Sequence, residues 1–144
     1  MGIAYLTQRA AGLSIGVLDG EITPEQYYEF AERQNADPGW HAATRSLIDA
    51  RTVLTPVLLL ENVAAFADVY AQMRANDPPG RTAIVAGHDF ELARDYSELR
   101  TTGGTFTIAF NDIESACMWL ETDLDGALRA IAELRDELRE AATA

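Results

Sequence analysis

The sequence predicts an α/β domain whose sheet is largely parallel in its second half. Three observations carry this: two alternating apolar runs at the N-terminus, a switch to helical spacing after them, and short apolar strands that then alternate with amphipathic segments. The predicted order is ββαβαβαα. Parallel sheets of this kind place ligands beyond the carboxyl ends of their strands. Those ends carry Asp49-Ala50-Arg51, Gly87-His88-Asp89 and Asn111-Asp112.

The first two runs, within "IAYLTQRAAGLSIGVLDGEIT", are separated by Ala11-Gly12 and predict a β-hairpin over about residues 3–19. Thr23-Pro24-Glu25-Gln26 is a helix start, with Thr23 as N-cap, Pro24 in the first turn and Gln26 at the capping-box position. Tyr27, Phe30 and Ala31 share a face of this helix, which should end near Asn35, before "DPGW". A strand is expected from Ser46 to Asp49 or Ala50. A long helix then runs from Leu60 to Asn76, with Val63, Phe66, Tyr70 and Met73 at three- and four-residue spacing and "NDPPG" as its stop.

"RTAIVAG" reads as a buried strand, "HDFELARDYSELR" as a helix, and "TFTIAFND" as the last strand. Asp112 should cap a short helix through Leu120. The chain closes with a helix from about Leu124 to Ala142. Its apolar stripe of Leu124, Ala127, Ile131, Leu134, Leu138 and Ala141 suits either docking on the chain's own sheet or self-association.

Composition excludes several activities. The chain has 144 residues, about one domain's length, with 48% hydrophobic residues and no segment that could span a membrane. Eleven basic and twenty-three acidic residues give a net charge of −12, which repels nucleic acid and anionic membranes. All the basic residues are Arg, so there is no Schiff-base or phosphate-loop lysine. One cysteine, Cys117, and two histidines, His41 and His88, supply neither a disulfide nor a multi-histidine metal site. The N-terminus lacks a basic region followed by a long apolar core, and the protein reads as cytoplasmic. No cofactor is expected.

The "GEIT" strand end, "LIDAR", "RTAIVAG" and "TFTIAFNDIESACMWL" together resemble the SpoIIAA-like proteins, relatives of the STAS (anti-sigma-factor antagonist) domains, over about residues 3–120. The resemblance implies a mixed sheet of about five strands with an N-terminal hairpin, parallel β-α units and helices packed on the sheet. It implies a SpoIIAA-like domain over 1–122, with residues 123–144 an added C-terminal helix that belongs to it or serves dimerisation. It also implies a non-enzymatic role in protein binding or in holding a small apolar or anionic ligand. STAS switches carry a phosphoacceptor serine after the third strand. Here Asp49 matches the leading acid of that motif, but Ala50 and Arg51 replace the serines, leaving Thr52 as the one regulatory hydroxyl.

Asp49 and Arg51 are two residues apart and would share a face of a continuing strand, where they could pair. Arg51 then either braces its strand end or anchors an anionic ligand head. Val57, Leu58 and Leu59, continuing into Leu60, cover more than one face, so they either pack under the neighbouring helix or line a pocket mouth, with Trp40 closing over the same region. His88 completes the candidate binding set. With Glu91 and Asp95 it lacks a second imidazole, and no metal site is expected. Asp123 and Asp125 look like the start of a calcium loop, but the ligands that should follow are Ala127, Leu128 and Ala130.

The reading is therefore a SpoIIAA-like binding or regulatory module, possible as a homodimer, with a protein partner or a small ligand. A carrier or sensor of a small apolar or anionic ligand is the alternative. An enzyme using Asp49 or His88 as general base is the third class, and it needs two catalytic groups within hydrogen-bond reach.

Overall fold

The computed structural model describes residues 2–54, 60–87, 90–101 and 106–143. Five strands form one sheet in the order β1-β2-β3-β4-β5: β1 (Gly2–Gln8), β2 (Leu13–Gly20), β3 (Arg45–Val53), β4 (Arg81–Ala86) and β5 (Phe106–Phe110). β1 and β2 form the expected antiparallel hairpin, and every later pairing is parallel. The hairpin connection is longer than the two residues anticipated. A 3₁₀ turn over Arg9–Ala11 closes on Gly12, whose φ of 61° lies in the left-handed region that glycine adopts without penalty.

Among the described residues six helices cover the two faces: α1 (Pro24–Asn35), α2 (Pro38–Ala42), α3 (Leu60–Met73), α4 (Phe90–Thr101), α5 (Ile113–Leu120) and α6 (Leu124–Thr143). The capping box at Thr23 and Gln26 is formed as its residue types require. α2 replaces the simple break expected at "DPGW": Asp37 caps it through Gly39 N–H at 2.9 Å, and Pro38 occupies its first position. α3 ends three residues short of the expected stop.

Alternation along the strands sorts the side chains into two layers. Leu13, Ile15, Val17, Leu47, Ala83 and Val85 point to one face and pack against α5 and α6. Ala127, Ala130, Ile131, Leu134 and Leu138 of α6 are buried there, so the C-terminal stripe is spent on the chain's own sheet. Asp123, the first acid of the failed calcium loop, instead accepts a hydrogen bond from Gly126 N–H at α6's start. The other face lies under α1, α3 and α4.

Arginine forks fasten the first layer. Arg45 donates to the carbonyls of Leu120 (3.0 Å) and Glu121 (2.9 Å), and Arg81 donates to that of Trp119 (2.6 Å), which satisfies the carbonyl end of α5. β4 enters beside the residue before β3 so closely that a Cβ at Gly80 would stand 2.5 Å from the Thr44 carbonyl oxygen. Only glycine fits that approach. Among the described residues no helix is long and apolar enough to cross a membrane.

Candidate functional site: a cavity over a row of hydroxyls

The sequence-predicted polar site is formed, but as an ion-pair network. Asp49 is fully buried on the α6 face of β3. It accepts hydrogen bonds from Arg51 Nε (2.9 Å), Arg51 Nη2 (3.0 Å) and the Arg51 backbone N–H (3.1 Å), and from Arg135 Nη2 of α6 (2.7 Å). Burial pushes the Asp49 carboxyl up, but the bonds from Arg51 and Arg135 outweigh it and hold the group below the usual carboxylate range.

β3 runs on to Val53, past the expected end at Ala50, and a register shift against β2 adds one residue to it there. Thr52 thereby joins the network. Its hydroxyl donates to Asp19 Oδ1 (2.7 Å) and accepts from Arg135 Nη1 (2.8 Å).

The cavity lies on the opposite face. Its volume is about 170 Å3, between the sheet and helices α1, α3 and α4, with Trp40 of α2 at one end. The expectation that Arg51 and Trp40 would frame one pocket is corrected by this geometry, because Asp49 and Arg51 project away from the cavity and Trp40 lines it. Asp49 and Arg51 therefore satisfy each other, and neither side chain reaches the cavity wall. Val57, Leu58, Leu59 and His88 lie outside the described residues.

The roof is aromatic. Phe66 meets Tyr27, Tyr28 and Tyr70 edge-on, with centroids 5.4, 5.6 and 4.9 Å away, and Trp40 meets Tyr70 at 5.9 Å. Arg74, just past α3, stacks on Trp40 with its guanidinium carbon 3.6 Å from the ring centroid and pairs with Asp77 at 3.2 Å.

The floor is where sequence reasoning missed the site. Parallel pairing aligns Ser14 with Ser46, Ser46 with Thr82 and Thr82 with Thr107, so four hydroxyl side chains form one row across β2 to β5. At about 4.8 Å per strand the row is about 14 Å long. The next row on that face, Gly16, Ile48 and Ile84, opens at Gly16, which contributes no side chain. Small residues on the floor and large rings on the roof leave the gap between them. Gln34 of α1 is buried above it and accepts a hydrogen bond from the Tyr70 hydroxyl. It occupies the apolar stripe of α1 with Tyr27 and Phe30, and a polar residue on such a stripe is the signal that could have found it.

The described lining contains no carboxylate, imidazole or thiol, and Arg74 is its one charged side chain. Among the described residues no group of three or more metal-ligating side chains converges.

No protein-family model matches the chain, and no curated protein matches it. Among solved structures it is similar to an uncharacterised protein of the DUF3478 family from Shewanella loihica, with a TM-score of 0.53 and 20% identity over 83% of this chain and 94% of that one. That structure has a SpoIIAA-like fold. The hairpin, the parallel β-α units and the two covered faces of the sheet agree with it: this chain has a SpoIIAA-like α/β fold.

Proposed function

We propose that the protein is a non-enzymatic binding module that holds a small, mostly apolar molecule between its sheet and helices α1, α3 and α4. The observation that carries this is the cavity of about 170 Å3 under an aromatic roof. Well-packed interiors leave few voids larger than a water, and an aliphatic cavity of about 150 Å3 suffices to bind benzene. The size suits a single ring or a compact fused pair. The described lining offers no carboxylate, imidazole or thiol for general acid–base catalysis, and its titratable side chains are the phenols of Tyr27, Tyr70 and Tyr96 and the guanidinium of Arg74.

Native mass spectrometry of freshly purified protein, followed by solvent extraction, is the first test. A retained small molecule supports carriage and reports its chemistry. Titration with toluene, followed by amide chemical shifts, tests the cavity itself: shifts centred on Gly16, Ile48 and Ile84 are expected, and their absence at saturation would remove the reading.

One observation favours a protein partner as a second reading. On the sheet's edge strand β5, Phe106 is 60% and Ile108 40% exposed on the same face. An open strand edge with apolar side chains is a site for association. Sedimentation of wild type and Phe106→Arg at equal concentration would separate a self-associating edge from a monomer.

A further inference from the structure

We infer that the cavity's ligand is an uncharged molecule with an apolar body and one hydrogen-bonding oxygen, held by the hydroxyl row and Gln34 toward the N-terminal ends of the parallel strands. This rests on the binding reading above and adds the chemistry of the occupant.

Ser14, Gln34 and Ser46 all line the cavity and are 4%, 7% and 8% exposed. Gln34 uses its Oε1 to accept from Tyr70, and its Nε2 donates to no other described protein group. The Ser14 and Ser46 hydroxyls have no hydrogen-bond partner among the described residues either. Buried polar groups in folded proteins nearly always have partners. These three groups open onto one cavity, where an occupant can pair with all of them, because an amide N–H and two hydroxyls can all donate to the same kind of atom, a carbonyl or hydroxyl oxygen.

The position is set by register. Ser14 pairs with Ser46 at the second residue of β2 and of β3, so the polar end lies near the strand starts. The far end of the cavity, at Ala50, Val53 and Ala86, is apolar. Neutrality follows from the charge balance. Arg74 is paired with Asp77 and stacked on Trp40, so an anion entering the cavity would lose its water and meet a cation already neutralised.

The test compares ethylbenzene, acetophenone and benzoate, three probes of similar shape, by calorimetric or chemical-shift titration of the whole chain. Acetophenone should bind wild type about tenfold more tightly than ethylbenzene, the effect of one good hydrogen bond, and benzoate should bind more weakly than acetophenone. In the double variant Ser14→Ala, Ser46→Ala the acetophenone preference should fall to about twofold or less, with ethylbenzene unchanged. The wild-type comparison stands even if the variant folds poorly. Equal binding of acetophenone and ethylbenzene to wild type would overturn the polar end and leave the cavity reading intact. Benzoate binding as well as acetophenone would overturn the neutrality of the ligand. Failure of all three probes to bind would remove both readings together.

Discussion

Arg135 Nη2 of α6 lies 2.7 Å from Asp49 Oδ2, and this pair joins the C-terminal helix to a carboxylate with no solvent exposure in the middle of β3. Arg135 is 19% exposed and Arg51, the other cation on Asp49, is 38% exposed, so the two guanidiniums are not equivalent. Removing the more buried partner leaves a charge that water reaches poorly. Arg135→Ala should destabilise the fold by about 2–3 kcal/mol, and Arg51→Ala by about 1 kcal/mol or less after screening. Urea unfolding with an unchanged m-value measures both. Equal small losses would show that α6 is held by its apolar stripe alone.

The same network sets a pH dependence. The folded-state value of Asp49 is depressed, so its stabilising contribution is complete above the unfolded carboxylate value near 4 and is lost as pH falls through the lower folded value. Asp19 adds to the same acid limb, with the hydrogen bond from Thr52 lowering it first and burial opposing. Between about pH 5 and pH 2 the wild type should lose stability more steeply than Asp49→Asn, whose side chain does not titrate. Chemical unfolding at several pH values compares the slopes. Parallel slopes would mean that Asp49 titrates normally in the fold.

Much of the fold was legible because local chemistry and global pattern agree. Thr23 and Gln26 could only cap α1, and the alternation of Leu13, Ile15 and Val17 named a strand with one buried face. "LIDAR" marked its strand correctly, yet its polar end was legible only as a pair and not by destination, because the face it turns to depends on the bulge and on α6, 83 to 86 residues away in sequence. The hydroxyl row was not legible at all. Ser14, Ser46, Thr82 and Thr107 are unremarkable one at a time in strands, and only the register of four strands lines them up. Strand register is a tertiary fact. Gln34 was within reach, since a polar residue at the i+7 position of the stripe begun by Tyr27 breaks the helix pattern.

Gly16 is the point at which the cavity can be filled. A Cβ there would meet the Ala4 carbonyl oxygen at 3.7 Å and Tyr5 Cβ at 3.9 Å, ordinary contacts, and its φ is not in the left-handed region. Gly16→Leu should therefore fold, gain rather than lose thermal stability from filled space and reduced chain entropy, and bind toluene at least about tenfold more weakly. Differential scanning calorimetry and the amide-shift titration read the two effects. A stable variant with undiminished binding would place the ligand elsewhere.

Cys117 offers a probe of the α5 and α6 layer. It is 2% exposed, and burial, with Asp123 adding to it, pushes its thiol up. A disulfide-exchange reagent at neutral pH should leave the native protein unlabelled and react at the rate at which this layer opens. Arg135→Ala should speed that labelling by loosening α6. Prompt labelling of the wild type would contradict the packing of α5.

Tyr5 should govern the alkaline limb. Its hydroxyl donates to Asp37 Oδ2 at 2.5 Å, and burial, followed by that hydrogen bond and the carboxylate's charge, pushes its pKa up to about 12. A phenol whose folded value is raised contributes stability that is complete below the unfolded value near 10 and is lost as pH rises through the folded value. Tyr5→Phe removes this titration together with the bond that joins β1 to the cap of α2. The variant should be less stable at pH 8 but lose less on going from about pH 10 to pH 12. Ultraviolet difference titration should show the variant losing one phenol's absorbance change near pH 12 relative to the wild type. Loss of a step near the ordinary phenol value of about 10 instead would mean that the Tyr5 hydroxyl does not bind Asp37 and that the β1 to α2 link does not form in solution.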